Sequence, residues 1–181
     1  RHVSAYGRTV TESLVRAVAA RGVVIVSGLA LGTDSIAHQA ALDAGGTTIA
    51  VLPSGLETIY PSSHRNLANQ IVLQGGALVT EYPPKAKISF KGNFVAGNRI
   101  IAGLSLAVLV TEASEKSGSL HTASFALERG REVLAAPGRV TNLGSTGCNN
   151  LIKTGATPIT TPEDIFDALK LHTDSVVAHE V

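Results

Sequence analysis

Apolar residues along this chain follow two alternating spacings, and the switches between them lay out its elements. Across residues 6–21, Val10, Leu14, Val15 and Val18 recur every three or four positions, which predicts an amphipathic helix stopped by Gly22. Residues 23–28, VVIVSG, form a continuous apolar run too short for a helix, the pattern of a strand covered on both faces. Residues 32–46 predict a helix with Thr33 or Asp34 near its start and a glycine stop. The alternation continues with a strand over 48–52, a helix over about 63–73, a strand over 77–82, and a basic loop leading to a helical turn over 98–104. A strand over 106–110, a helix ending at Gly130, a strand over 132–136 and a short strand over 157–160 complete the series. Thr161, Pro162, Glu163 and Asp164 spell a helix start with proline in first position. This order implies a doubly wound α/β domain: a mostly parallel sheet, helices on both faces, and binding loops along one rim.

The richest segment is 93–130, NFVAGNRIIAGLSLAVLVTEASEKSGSLHTASFALERG, where polar, glycine-containing turns flank a buried strand. In a parallel sheet the turn after that strand lies at the carboxyl rim, where a helix N-terminus offers free N–H groups to an anion. Ser117, Gly118 and Ser119 therefore have the chemistry to hold a phosphate. Ser27 and Gly28 follow another strand and, with Gly32, allow close backbone approach by a ligand or simply make a tight turn.

Composition narrows the picture. With 44% hydrophobic residues but few aromatics, Ala, Val, Ile and Leu must fill the core. No apolar run approaches the roughly 20 residues of a membrane span, and no signal-peptide pattern occurs, so a soluble, intracellular, cytoplasmic protein is expected. Cys148, the only cysteine, excludes an internal disulfide and a cysteine-based zinc site, and is expected to be buried. A formal net charge of +1 argues against coating nucleic acid by bulk electrostatics. Charge is nevertheless polarised. Between Glu81 and Glu112 there is no acid, while Lys85, Lys87, Lys91 and Arg99 are present. A second acid-free stretch over 133–162 carries Arg139 and Lys153, whereas 163–181 holds five acids against Lys170. Phe90 and Phe94 interleave with Lys91 ahead of Arg99, and rings among cations suit single-stranded nucleic acid. The alternative for Phe94 is a core residue that holds its loop down.

Several chemistries are excluded. The glycines after the first strand are too widely spaced for GxGxxG, and Ser54 and Gly55 stand where a ribose-binding acid would end the next strand, so an NAD enzyme does not fit. GxxxxGK[ST] and GxSxG do not occur. No two of the six histidines share a helix face, which disfavours a metal site. His38 and His121 fall near helix starts and are expected to pack against the sheet. Asp34 and Glu112 are the acids nearest the rim, with Asp34 equally suited to capping its helix.

Six segments, VVIVSGLALGTDSIAHQAAL, AVLPSGLETIYPSSHRNLA, GGALVTEYPP, NFVAGNRIIAGLS, SGSLHTASFALERGREVLAAPG and GCNNLIKTGA, together resemble the DNA-processing protein A family (DprA, also called Smf). The resemblance implies an extended Rossmann-like domain, assigned to 1–172 with a tail or linker over 173–181. It also implies a homodimer that binds and protects single-stranded DNA and loads the recombinase RecA during natural transformation, without catalysis, cofactor or metal. By motif, Arg1 is similar to the arginine of the family's Gly-x-Arg turn. Lys91, Phe94, Asn98 and Arg99 fall in its basic aromatic loop, Ser117, Gly118 and Ser119 in its phosphate turn, and Gly28 joins them as a DNA contact. Two departures matter. Where the family reads Phe-Pro-x-Arg-Asn-Arg, this chain has Gly97 for the first arginine, implying weaker DNA affinity. The family's first strand and its glycine would precede Arg1, so the expectation is either a gap near the middle of the sheet or another element filling it; the family's winged-helix module is also not found in this sequence. A second resemblance, to nucleotide-cleaving Rossmann-like domains of the lysine-decarboxylase-like (LOG) type, fails at the signature's terminal glutamate, where Phe125 or Ala126 stands.

Overall fold

The structure is a computed structural model and describes residues 3–88 and 92–171. Helix α1 (Ala5–Ala19) starts at Ser4, whose hydroxyl accepts from the Gly7 amide at 3.0 Å, and buries Leu14, Val15, Val18 and Ala19. Strands β1 (Ile25–Ser27), β2 (Thr48–Val51) and β3 (Ala77–Val79) form a parallel sheet in that order, with Val26 opposite Ile49 and Ala50 opposite Leu78. Helices α2 (Thr33–Asp43) and α3 (Arg65–Leu73) are their crossovers. After α4 (Gly92–Leu104), strands β4 (Ala107–Val110), β5 (Glu132–Ala135) and β6 (Thr157–Pro158) form a second parallel sheet, connected through α5 (Ser119–Glu128) and α6 (Thr146–Lys153) and followed by α7 (Pro162–Ala168).

Alternation along the strands sends side chains to both faces. Val133 and Ala135 of β5 pack with Ala123 and Ala126 of α5 and with Cys148. Leu134, between them, joins Leu14 and Val18 of α1 and Ile165 and Phe166 of α7 on the other face. A third cluster beneath α3 joins Leu29, Leu42, Ala50, Leu52, Ala68 and Ile71. This is the doubly wound α/β arrangement predicted from the order of elements.

The two sheets do not join. Among the described residues β1 pairs only with β2 and β4 only with β5. Their remaining edges line one open cleft of about 1910 Å³, with Val24, Ile25 and Val26 on one wall and Val108, Leu109 and Val110 on the other. The gap lies where a missing strand was expected. Helix α1 bridges it at the carboxyl end, because the Glu112 carboxylate accepts from the Ser4 amide at 2.9 Å and from its hydroxyl at 2.5 Å. The Thr11 hydroxyl donates to the Gly7 carbonyl at 2.7 Å, so at the 2.7 Å Thr11–Thr111 contact the Thr111 hydroxyl is the donor.

Three local readings change. Helix α4 begins at Gly92, so Phe94 sits on a helix where a loop was expected. Helix α6 was not foreseen; it is set by packing, since the Gly147 amide donates to the Ala113 carbonyl at 2.7 Å and a Cβ on Gly147 would lie 2.8 Å from that oxygen. His121, expected to pack, is exposed on α5. His38 is fully buried as expected, with Nδ1 2.6 Å from the Thr48 hydroxyl, at the amino end of β2 and away from the rim. The tail over 173–181 falls outside the described residues. No described helix is long and apolar enough to cross a membrane.

Candidate nucleic-acid interface

The carboxyl ends of β1, β2 and β4 meet around the mouth of the cleft. After β1 the chain turns sharply: Leu29 takes φ 58° and Gly32 φ 98°, the left-handed region that favours glycine. Asp34, in the first turn of α2, holds this turn by accepting from the amides of Gly28 at 3.1 Å and Ala30 at 3.2 Å. Burial pushes its carboxyl above the usual range, while those amides act in the opposite direction. A Cβ on Gly28 would lie 2.9 Å from the Asp34 carboxylate, so a larger residue here would push that carboxylate away from the amides it holds. The His64 ring donates from Nδ1 to the Leu29 carbonyl at 2.8 Å and anchors the turn's far side.

Helix α4 forms one side of the mouth. Its first turn is tied down by Asn93, whose amide donates to the Pro53 carbonyl at 3.0 Å from a fully enclosed position. Phe94 and Asn98, four residues apart, share one helix face and line the cleft. Asn98 reaches the Gly118 carbonyl at 3.4 Å, joining α4 to the turn ahead of α5. In that turn the hydroxyls of Ser117 and Ser119 lie 2.9 Å apart, and both residues line the cleft with Gly118. Gly28, Phe94, Asn98, Ser117, Gly118 and Ser119 therefore converge on one mouth. Arg1 and Lys91 lie outside the described residues.

Arg99 departs from the expected picture. It is absent from the cleft lining, and its guanidinium is ion-paired with Glu81, the acid that ends the segment after β3. Gly97 is buried against β2, where a Cβ would sit 3.8 Å from Val51. An arginine there would have to run out along the cleft to reach a ligand. Among the described residues the charged ones lining the cleft are Arg21, Asp34, Glu112 and Lys170; the two acids are at the mouth and both are engaged by backbone amides. Positive charge at this rim sits farther out, on the exposed Lys85, Lys87, Lys116 and Arg139. No group of three or more His, Cys, Asp or Glu among the described residues is placed to hold a metal. Cys148 is buried and its thiol is pushed up to about 11 by burial, which removes it as a nucleophile.

Asn93 and His64, which hold the elements around the mouth, and Glu81, which pairs with Arg99, are residues that sequence reasoning missed. Their partners lie 18 to 40 positions away, so no local pattern marks them.

Comparisons with known proteins agree with this architecture. A family model described as DNA recombination-mediator protein A matches residues 1–170. The chain is 52% identical to the Smf protein of Escherichia coli over 165 residues, which is 91% of this chain and 43% of that protein. It is 40% identical to the solved DNA processing protein A of Streptococcus pneumoniae, with a TM-score of 0.84, covering 93% of this chain and 59% of that one. The Helicobacter pylori DNA processing protein A, whose structure is described as giving insight into a single-stranded DNA binding mode, is 34% identical with a TM-score of 0.82, over 93% of this chain and 76% of its own. The chain thus spans less than half of the Escherichia coli relative's length. By the extent of these matches, this chain belongs to the DNA recombination-mediator protein A family, the DprA/Smf proteins.

Proposed function

We propose that this protein binds and protects single-stranded DNA at the carboxyl rim of its sheets, without catalysis, and loads RecA onto that DNA as a homodimer in the cytoplasm during natural transformation. The observation that carries the reading is the convergence of Phe94, Asn98 and the Ser117–Ser119 turn on one mouth, joined by the Asn98 contact to Gly118. A ring, an amide and a hydroxyl-bearing helix start are the groups a flexible polyanion with exposed bases can use. Arg1 and Lys91 join the proposal as phosphate contacts, and Arg99 as a third once it leaves Glu81. The single-stranded DNA binding mode described for the Helicobacter pylori relative supports the ligand class.

Fluorescence anisotropy with a labelled oligo-dT tests the reading. Binding is expected at low salt with little sequence preference, falling linearly in log–log with added salt, and Arg99→Glu weakens it for every sequence. Absence of binding at low salt refutes it. RecA loading is read separately, as faster RecA filament growth on DNA already bound by this protein.

The nucleotide-cleaving alternative loses support at its remaining acid. Both Glu112 carboxylate oxygens are committed to Ser4 at the start of α1, which leaves a poor general base or nucleophile.

A further inference from the structure

Helices α1, α2, α5 and α6 start around the carboxyl rim, and their first amides meet different partners. At α1 the Glu112 carboxylate accepts from the Ser4 amide at 2.9 Å and from its hydroxyl at 2.5 Å, and a Cβ on Gly7 would overlap that carboxylate. Ahead of α2 one oxygen of Asp34 accepts from the amides of both Gly28 and Ala30. At α6 the Gly147 amide donates to the Ala113 carbonyl. Helix α5 differs. It has no side-chain cap and no acid in its first turn, and a Cβ on Gly118 would meet nothing within 4 Å. Among the described residues the amides of Gly118 and Ser119 take no acceptor.

From this contrast we infer that Asp34 and Glu112 are specificity-determining residues that turn away nucleoside polyphosphates, each filling from within the protein the anion position at one helix start. The inference rests on the single-stranded DNA reading and adds to it a class of ligand that the mouth rejects. A di- or triphosphate is held by adjacent free amides or by cations gathered around it. Here the amides beside the α5 turn are already engaged by carboxylates, and among the described residues the charged side chains lining the mouth are those two acids. A polyphosphate brings several negative charges against that pair, whereas each phosphodiester of a strand brings one. The next phosphate of a strand lies a nucleotide away, towards the exposed lysines farther out on the rim. Filled amides and opposed charge thus favour a strand over its monomers.

The test measures thermal melting of the wild type, Asp34→Asn and Asp34→Ala in sodium pyrophosphate and in sodium chloride at matched ionic strength. Asparagine can supply the one oxygen that both amides use, whereas alanine leaves them open to an added anion. Pyrophosphate is expected to raise the melting temperature of Asp34→Ala several degrees more than that of the wild type or Asp34→Asn. Equal shifts in the three proteins overturn the assignment. A second measurement needs no variant and decides the matter if Asp34→Ala does not fold. Labelled oligo-dT bound to the wild type is challenged at constant ionic strength with unlabelled (dT)4 or with dTTP, which carry similar total charge. The short strand is expected to displace the label and dTTP to leave it bound. Displacement by dTTP at the concentrations effective for (dT)4 overturns the proposal. If the wild type does not bind oligo-dT at all, the underlying DNA reading is what fails, and the pyrophosphate shift still decides whether Asp34 fills an anion position.

Discussion

At the scale of single residues, the Arg99–Glu81 pair sets how much positive charge the rim presents. Both side chains are partly exposed, so the pair contributes little to stability, at most about 1 kcal/mol. Its larger effect is on a ligand, because a phosphate must compete with Glu81 for the guanidinium. Glu81→Gln removes the competitor. It is expected to tighten oligo-dT binding several-fold at low salt and steepen the salt dependence by up to about one counterion. Unchanged or weaker binding, measured by anisotropy titration at several salt concentrations, would place the DNA away from Arg99. Single residues also show where sequence reading stops. The acid-free run between Glu81 and Glu112 was visible as composition, but the acid at its boundary folds back onto the one arginine inside it. Only the tertiary path of the chain reveals that neutralisation.

At the scale of elements, the strands were legible because each is a short apolar run bounded by glycine or polar residues, and α7 because Thr161 and Asp164 form a complete capping box behind Pro162. Helix α4 was half legible. Gly92, Gly97, Gly103 and the β-branched Val95 depress its intrinsic propensity, and the Asn93 contact to Pro53 supplies what the local sequence lacks. That difference moved Phe94 from a loop onto the same helical face as Asn98. Helix α2 is tied to β2, and through it to β1, by His38. The Thr48 hydroxyl donates to the Ile25 carbonyl at 2.8 Å, so His38 Nδ1 carries the proton it shares with Thr48, while its Nε2 is enclosed without a partner. Burial, reinforced by His64, lowers the His38 pKa to about 3 from an ordinary 6.5. The unfolded chain therefore binds a proton at this position that the folded chain refuses between those values. Stability from this residue is complete above about pH 6.5 and falls as pH drops towards 3. Urea denaturation at pH 7.5 and pH 5 should show the loss, and His38→Gln should flatten it. An unaltered slope in the variant would mean that other groups control the acid limb.

For the whole molecule, the notable feature is a doubly wound fold divided along its centre. Among the described residues strands β1 and β4 present free edges to one cleft, and α1 links the halves: it is bonded through Ser4 to Glu112 and Thr11 to Thr111 on the β4 side and packs Val15 and Ala19 against Ala37, Ala40 and Ala41 of α2 on the β1 side. The cleft walls are apolar, whereas its mouth is polar and carries the converging side chains. Among the described residues those edges lie beside the exposed Val24 and Leu106. The molecule also offers a polyanion a second address. Arg21, Arg129, Arg131 and Lys153 stand just ahead of or near the starts of β1, β5 and β6, at the opposite, amino end of the sheets. Charge alone does not choose between the two ends. We propose the carboxyl rim because it joins rings, amides and hydroxyls in one mouth. Photocrosslinking a 5-iodouracil-substituted oligo-dT to the protein, with the adducts mapped by mass spectrometry, decides between them directly. Binding at the carboxyl rim predicts adducts at residues 53–61, 92–99 and 111–119. Adducts confined to residues 20–24, 128–132 and 153–156 would contradict it.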